Sequence, residues 1–159
     1  MRKLIFLDCD GVITTYKSGW KFDPEKLELL KHILDETDAD IVVSSSWRYS
    51  TVKETLEKSF KDFPFKDRIV DVTPRLNLPG KKGDWTFFMP ERGLEIDAYL
   101  NKLTGHDFHH EKYVKYVILD DDPDFLWVQR NNFIRTDSYL GMSEEDVEKA
   151  IKILNKDEV

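Results

Sequence analysis

The chain of 159 residues is long enough to bury a hydrophobic core, and its 40% hydrophobic and 35% charged residues are ordinary for a folded globular protein. A net charge of -7 argues against a protein held to nucleic acid mainly by counterion release. The single cysteine, Cys9, excludes an intrachain disulfide and is compatible with a reducing compartment.

Continuous apolar runs predict the strands. Runs that do not alternate with polar residues fit strands buried on both faces of a parallel sheet. They are Leu4 to Leu7, Ile41 to Val43, a weaker run from Ile69 to Val72, Val117 to Leu119, and an edge candidate at Phe133 and Ile134. The first run is too short for a signal-peptide core or a membrane span, so we expect a cytoplasmic protein that does not bind membranes.

Helical patterns lie between these runs. Asp23 and Pro24 have the residue types of an N-cap and a first helical position. Apolar residues at helical spacing follow a start near Glu91, and capping-box spacing occurs at Thr51 with Glu54 and at Ser143 with Asp146. The alternation predicts one domain, residues 1–159, with a three-layer, doubly wound, Rossmann-like α/β fold around a parallel sheet.

Two connections are longer than is usual in such folds: Gly11 to Asp23 and Thr73 to Pro90. The second is either a lid over a site or a surface excursion that covers the core, and its aromatic residues are Trp85, Phe87 and Phe88. Neither connection has room for a large cap domain, so we expect an open site that admits bulky substrates.

Three of the predicted strands end in polar clusters. Asp8-Cys9-Asp10-Gly11 follows the first strand, Ser44-Ser45-Ser46-Trp47-Arg48 the second, and Asp120-Asp121-Asp122-Pro123-Asp124 the fourth. In open α/β sheets, ligands bind beyond the carboxyl ends of the strands. The three clusters are therefore expected to meet at one edge of the sheet.

Carboxylates crowded at that edge need an explanation. Two like charges about 4 Å apart repel by about 4 kcal/mol at an effective dielectric constant near 20. A magnesium ion, which prefers oxygen ligands, removes this repulsion. The sequence therefore predicts an Mg²⁺ site, with Asp8, Asp10, Asp120 and Asp121 as its candidate ligands. For Asp122 and Asp124, turn formation or helix capping is an equally good interpretation.

The order of these motifs resembles the haloacid dehalogenase (HAD) superfamily. Asp8-Cys9-Asp10-Gly11-Val12 resembles its first motif, Ser44 its second, and Asp120-Asp121 its fourth. Arg92 best fits the basic third motif; Lys81 and Lys82 fit it less well. The resemblance spans about residues 3 to 124, and the Ser-Ser-Ser-Trp-Arg segment is similar to small, uncapped HAD phosphatase domains related to RNA-repair proteins.

The resemblance implies a division of roles. Asp8 would attack phosphorus and form an aspartyl-phosphate, while Asp10 would act as general acid and then general base. Ser44 would bind a phosphoryl oxygen, and Arg92 would neutralise phosphate charge and orient Asp8. Mg²⁺ would be bound by carboxylates of Asp8 and Asp121 and by the backbone carbonyl of Asp10, with support from Asp120.

Other signals have weaker functional interpretations. A cysteine-phosphatase role for Cys9 would require an arginine six positions later, where Thr15 stands, so a buried structural residue is favoured. The three histidines near one another fit a solvated loop better than a zinc site; they are His106, His109 and His110. Ser45, Trp47 and Arg48 are candidates for substrate binding, and Trp47 fits packing in the following helix equally well.

The expected activity is Mg²⁺-dependent hydrolysis of a phosphomonoester. The expected partner is a phosphorylated small molecule or a nucleotide, and a nucleic-acid end is a further candidate. Two alternatives stay open from the sequence: a non-catalytic phosphate- or nucleotide-binding module, and a phosphotransferase whose acceptor is not water. The sequence does not identify the physiological substrate or the oligomeric state.

Overall fold

A computed structural model describes residues 1–76 and 91–157 of the chain. The predicted strands are present as β1 (Arg2–Leu7), β2 (Asp40–Val43), β3 (Ile69–Val72), β4 (Val114–Asp120) and β5 (Phe133–Arg135). They form a parallel sheet in the order β3-β2-β1-β4-β5. The predicted Rossmann-like α/β fold is confirmed, and the described residues contain no separate cap.

The helices follow the predicted alternation. They are α1 (Pro24–Thr37), α2 (Val52–Lys58), α3 (Glu91–Leu103) and α4 (Glu144–Leu154), with short 3₁₀ turns at Lys66–Arg68, His110–Lys112 and Trp127–Gln129. Within the described ranges, no helix combines the length and the apolar character that a membrane crossing requires. Most of the Thr73 to Pro90 connection, with Lys81, Lys82, Trp85, Phe87 and Phe88, lies outside the described residues.

The helix starts are fixed by side-chain caps at the predicted positions. Asp23 accepts a hydrogen bond from the backbone N–H of Glu25, and Thr51 accepts one from that of Glu54. Ser143 and Asp146 form a reciprocal capping box at the start of α4. Each cap satisfies backbone N–H groups that have no partner inside the helix, which contributes about 1 kcal/mol to helix stability.

Strand β1 divides the core into two halves. Its side chains are fully buried from Leu4 to Leu7, and they alternate between opposite faces of the sheet. Ile5 and Leu7 pack in the larger apolar cluster under α1 and α4, whereas Leu4 and Phe6 pack in the smaller cluster with α3. Burial of a side chain the size of Phe6 stabilises the fold by about 1.5–3 kcal/mol. Burial on both faces explains why the run is continuously apolar.

The sheet register brings three of the polar clusters to the same level. Leu7 pairs with Val43 of β2 and with Leu119 of β4. The ladder continues one step further: the N–H of Asp8 donates to the carbonyl of Leu119, and the N–H of Ser44 donates to that of Leu7. The residues that follow these three paired positions, Asp8, Ser44 and Asp120, therefore leave the sheet side by side.

Candidate functional site

The backbone turns immediately after β1 and separates Asp8 from Asp10. The N–H groups of Val12, Ile13 and Thr14 all donate to the carbonyl of Cys9. Asp8 is 7% exposed at the sheet edge, whereas Asp10 is exposed. In an extended strand, side chains two residues apart point the same way, and the turn around Cys9 removes this relationship between Asp8 and Asp10.

Three carboxylates form a cluster at the carboxyl edge of the sheet. One oxygen each from Asp8, Asp120 and Asp121 lies within 4.8 Å of the other two. Asp8 and Asp120 are buried and Asp121 is half-buried. Oxygen donors at this spacing fit a hard divalent cation such as Mg²⁺. The carboxylate of Asp10 is not in this group, and its predicted ligation through the backbone carbonyl stays a prediction.

Arg92 lies against the cluster from the first turn of α3. Its Nη1 is 2.7 Å from Oδ2 of Asp120 and 3.2 Å from Oδ1 of Asp8. The backbone at this helix start is held by the loop after β4: the N–H of Arg92 donates to Asp124 Oδ2, and that of Gly93 to the carbonyl of Asp124. The side chain of Asp124 thus caps α3, and helix capping was one of the interpretations of this residue that the sequence left open. The side chain of Asp122 is exposed.

A glycine permits this close approach of α3 to the β4 loop. A Cβ on Gly93 would lie 2.7 Å from the backbone nitrogen of Leu126 and 2.9 Å from Cα of Phe125. The side-chain amide of Gln129 donates to the carbonyl of Gly93 and fixes the same contact. The position of Arg92 over the carboxylates therefore depends on a residue without a side chain at the next position.

Burial perturbs the ionisation of the cluster. Desolvation raises the pKa of Asp120 to about 8, with a further contribution from the neighbouring charge of Asp8. Desolvation also raises the pKa of Asp8, against the lowering effect of Arg92. Burial opposes the charge on Arg92, yet Asp120 and Asp8 together raise its pKa above the ordinary value. One guanidinium does not neutralise three crowded carboxylates, so a bound cation would stabilise their charged forms.

Ser44 presents an unused hydrogen-bonding group next to the cluster. Its side chain is fully buried at the end of β2, and its Oγ has no hydrogen-bond partner. Buried hydroxyls are nearly always paired, so one without a partner beside a candidate nucleophile is available for a ligand oxygen. This placement is compatible with the predicted phosphoryl contact.

Gly11 shapes the same crevice by conformation and by size. Its φ of +75° lies in the left-handed region, which a side chain disfavours. A Cβ at this position would lie 2.5 Å from Oδ2 of Asp121. The glycine of the first motif thus allows Asp121 to approach the turn that follows Asp8.

Asp10 accepts a hydrogen bond at each carboxylate oxygen. The hydroxyl of Thr14 lies 2.8 Å from Oδ1, and the indole Nε1 of Trp47 lies 3.2 Å from Oδ2. The ring of Trp47 packs on Phe22, with centroids 5.5 Å apart. Trp47 therefore connects the core to Asp10 and has a partner within the protein in addition to its predicted substrate role. Thr14 was not among the predicted site residues, because its distance from Asp10 depends on the turn.

Arg48 and Ser45 also have partners inside the protein. Arg48 is 4% exposed and pairs with Glu95 of α3, with 2.5 Å between Nη2 and Oε2. Its remaining N–H groups donate to the carbonyls of Ser44, Ser45, Thr73 and Pro74. Ser45 is fully buried and accepts the backbone N–H of Trp47. Arg48 thus joins the loop after β2 to the loop after β3, and substrate contact by Arg48 or Ser45 stays a prediction.

Glu95 is a residue that the sequence analysis did not select. It lies beside the apolar stripe of α3, next to Ile96, and is 4% exposed. A charged residue at the border of an apolar helix face is the signal that could have indicated a buried ion pair.

The weaker candidates take the structural positions that the sequence favoured. Cys9 is fully buried, and desolvation raises the pKa of its thiol well above the usual range, so it lacks the thiolate that nucleophilic attack requires. His109 lies 3.2 Å from Glu111, and Nδ1 of His110 lies 2.9 Å from the hydroxyl of Thr104. This turn precedes β4, whereas Asp120 and Asp121 lie at the opposite, carboxyl end of that strand.

Comparison with known protein families agrees with this geometry. A family model described as the HAD domain in Swiss Army Knife RNA repair proteins matches residues 4–147. No curated protein and no solved structure matches the chain. The match covers β1 with Asp8, the Ser44 loop, Arg92 of α3 and the Asp120-Asp121 pair. The chain therefore belongs to the family of HAD domains found in Swiss Army Knife RNA repair proteins.

Proposed function

We propose that this protein is an Mg²⁺-dependent phosphatase that hydrolyses a phosphomonoester through an aspartyl-phosphate on Asp8. The observation that carries the proposal is the carboxylate of Asp8 grouped with Asp120 and Asp121 and contacted by Arg92. Membership of a HAD family supports phosphatase-type chemistry in general. The nucleophile, the metal dependence and the intermediate are inferred from the site.

In the first step an oxygen of Asp8 attacks the phosphorus atom. A bond forms between this oxygen and phosphorus, and the bond from phosphorus to the ester oxygen breaks. Asp10, in its protonated form, donates its proton to the departing oxygen, so the alcohol leaves neutral. Nη1 of Arg92, 3.2 Å from Asp8, orients the nucleophile and neutralises charge on the phosphoryl oxygens.

In the second step water removes the phosphoryl group from Asp8. The ionised carboxylate of Asp10 accepts a proton from the water as its oxygen bonds to phosphorus. The bond between Asp8 and phosphorus breaks, which releases inorganic phosphate and restores both carboxyl groups to their starting states. Asp10 is exposed beside the crevice, where the departing alcohol and then the attacking water can reach its carboxyl group.

Asp8, Asp120 and Asp121 are the carboxylates that would hold Mg²⁺, with the backbone carbonyl of Asp10 as a further ligand. When bound, the ion supplies positive charge that lowers carboxylate repulsion and polarises a phosphoryl oxygen. Ser44 contributes its unpaired hydroxyl to a second phosphoryl oxygen. Phosphoryl transfer depends mainly on such positioning and charge neutralisation.

The substrate that we propose is a phosphorylated small molecule or a nucleotide. The family name refers to RNA repair proteins, which supports a nucleic-acid end as a candidate for this chain as well. The net charge of -7 argues that such an end would be recognised at the site rather than by broad electrostatic attraction.

The test is release of inorganic phosphate from a panel of phosphorylated metabolites, aryl phosphates and 3′- or 5′-phosphorylated oligonucleotides. We expect activity with Mg²⁺, loss of activity with EDTA, and loss in Asp8→Asn with the fold retained. Asp62→Asn, at an exposed position, is the matched control and should keep full activity. Mass spectrometry of acid-quenched protein should locate a phosphoryl group on the peptide that contains Asp8.

Three results would contradict the proposal. Activity that survives in Asp8→Asn would exclude the assigned nucleophile. Binding of phosphorylated ligands without turnover by the wild-type protein would favour the non-catalytic module. Phosphate recovered on an added alcohol rather than in solution would identify a phosphotransferase.

A further inference from the structure

The hydrogen bonds around Asp10 go beyond the family motifs. We propose that Trp47 and Thr14 are positioning residues that hold the carboxyl group of Asp10 in the orientation required for proton transfer. This inference rests on the proposed function, since it assigns roles to two residues that act through the general acid and base.

The contacts to Asp10 are divided between its two oxygens. Thr14 Oγ1 lies 2.8 Å from Oδ1, and Trp47 Nε1 lies 3.2 Å from Oδ2. The Thr14 hydroxyl is also 3.3 Å from the carbonyl of Cys9, so the shorter contact is the one to Asp10. With one donor on each oxygen, rotation of the carboxyl group about its Cβ–Cγ bond would break both bonds.

Trp47 is held firmly enough to act as a fixed donor. Its backbone N–H donates to Ser45 Oγ at 3.1 Å, and its carbonyl accepts the hydroxyl of Ser59 at 2.6 Å. Its ring contacts Phe22 and Phe60, with centroids 5.5 and 6.2 Å away. An indole has one N–H donor and no acceptor, so it bonds to an acceptor such as a carboxylate and not to a group that only donates.

Thr14 is fixed from the opposite side. It is fully buried, its N–H donates to Cys9, and its carbonyl accepts the N–H of Gly11. Its backbone also pairs with that of Phe22 in an isolated antiparallel β-bridge, and Phe22 is the residue on which Trp47 packs. Thr14 and Trp47, the two donors to Asp10, are thus both held by Phe22. They constrain the carboxyl group of Asp10 although this residue is exposed to solvent.

A proton donor that is correctly oriented matters most when the departing group is a strong base. General acid catalysis typically contributes 10²- to 10⁴-fold, and a departing group that is stable as an anion needs little of it. Loss of a positioning bond should therefore steepen the dependence of kcat/KM on the basicity of the leaving group. A residue that only stabilises the fold would lower kcat/KM equally for all substrates.

The experiment compares substituted phenyl phosphates, which have similar shapes and different leaving groups. Trp47→Phe keeps an aromatic ring on the side of Phe22 and Phe60 and removes the N–H donor. With phenyl phosphate, whose leaving anion is strongly basic, we expect kcat/KM to fall about tenfold. With 2,4-dinitrophenyl phosphate, whose leaving anion is weakly basic, we expect a fall of less than about threefold. Trp127→Phe, at a tryptophan that is 77% exposed, should leave both values unchanged.

Thr14 provides a second, independent pair of variants. Thr14→Ser keeps the hydroxyl and should retain the wild-type leaving-group dependence, whereas Thr14→Val should reproduce the effect of Trp47→Phe. Equal losses for both phenyl phosphates, or no loss in either Trp47→Phe or Thr14→Val, would overturn the inference. Failure of this inference can be told apart from failure of the proposed function. The proposed function is tested by the activity of the wild type and its loss in Asp8→Asn, without the Trp47 and Thr14 variants.

Discussion

Nη1 of Arg92 lies 3.2 Å from Oδ1 of Asp8, so the cation at the start of α3 directly contacts the candidate nucleophile. The same nitrogen is 2.7 Å from Oδ2 of Asp120, which makes it a bridge between carboxylates of β1 and β4. A single guanidinium thus lowers the repulsion between two carboxylates, and in the proposed reaction it would also present positive charge to an incoming phosphate.

Removal of this bridge should impair activity strongly. We expect Arg92→Ala to lower kcat/KM by about 100-fold or more, the size of effect that follows loss of one charge-stabilising donor in a water-poor site. Arg92→Lys should retain more activity, because it keeps the charge without the planar group. Arg130→Ala, which removes an arginine that stacks on exposed Trp127, is the control. Steady-state kinetics with an aryl phosphate measure all three, and wild-type kcat/KM in Arg92→Ala would exclude the role.

Asp121 should couple metal binding to stability. In EDTA we expect Asp121→Asn to have a higher melting temperature than the wild type, because it removes one of three crowded carboxylates and with it the repulsion between Asp121 and the other two. Addition of Mg²⁺ should raise the melting temperature of the wild type and have little effect on this variant, since a ligand that binds only the native state stabilises it. Differential scanning calorimetry provides the measurement.

Asp122→Asn is the matched control for this metal experiment. Asp122 is adjacent in sequence, exposed, and outside the carboxylate cluster. Its variant should therefore show the wild-type response to Mg²⁺. An equal Mg²⁺-induced shift in Asp121→Asn would place the cation elsewhere.

The raised pKa values predict how the stability of the metal-free protein depends on pH. Desolvation raises the pKa of Asp120 to about 8 from an ordinary value of 3.8, so the native state keeps a proton that the unfolded chain releases. The contribution of Asp120 to the free energy of unfolding is therefore lost as the pH rises between about 4 and 8. The loss is at most about 1.4 kcal/mol per pH unit for one proton. Burial shifts the pKa of Asp8 in the same direction.

Urea unfolding in EDTA between pH 6 and 8 tests this dependence. This window lies above the titration of carboxyl groups whose pKa is lowered, such as Asp137 and Glu145. The free energy of unfolding should fall with pH in the wild type and fall less in Asp120→Asn. Saturating Mg²⁺ should weaken the dependence. Identical slopes for wild type and variant would contradict the assignment to Asp120.

The ion pair of Arg48 and Glu95 should be important for stability. Its side chains are 2% and 6% exposed, and Glu95 also accepts the N–H of Leu76. We expect Glu95→Gln to lower the free energy of unfolding by about 3 kcal/mol, because it leaves a buried guanidinium without its counter-charge. Glu54→Gln, which breaks an exposed pair with Lys58, should change it by less than about 0.5 kcal/mol. Equal effects in urea titrations would show that burial does not strengthen the pair.

Local patterns in the sequence predicted most of the fold. Continuous apolar runs identified the strands because β1 is buried on both faces, and cap residues such as Asp23 and Ser143 marked helix starts through bonds to adjacent backbone groups. The grouping of Asp8 with Asp121 followed from parallel strands that end at one edge. These features depend on residue spacing and on topology, both of which can be inferred from sequence.

The directions of side chains in loops could not be predicted in this way. Asp10 was selected as a candidate ligand together with Asp8, but nothing in the sequence indicated that the turn around Cys9 would direct its carboxylate toward Thr14 and Trp47. Arg48 was selected as a candidate for substrate binding, and its ion pair with Glu95, which lies far along the chain, was not predicted. Such contacts depend on backbone angles after the strand ends and on partners distant in sequence, so no short pattern indicates them.

The pairing of Leu7 with Val43 and Leu119 has a consequence for how this protein can evolve. An insertion of one residue within β1 would move Leu7 to the place of Asp8, and a deletion would move Cys9 there, while the neighbouring strands kept their alignment. Because the side chains on both faces of β1 are apolar, the shifted strand would still be buried in the sheet. The carboxylate of Asp8, however, would no longer lie at the candidate site. Natural variation in chain length should therefore accumulate in the loops and be rare in the central strand.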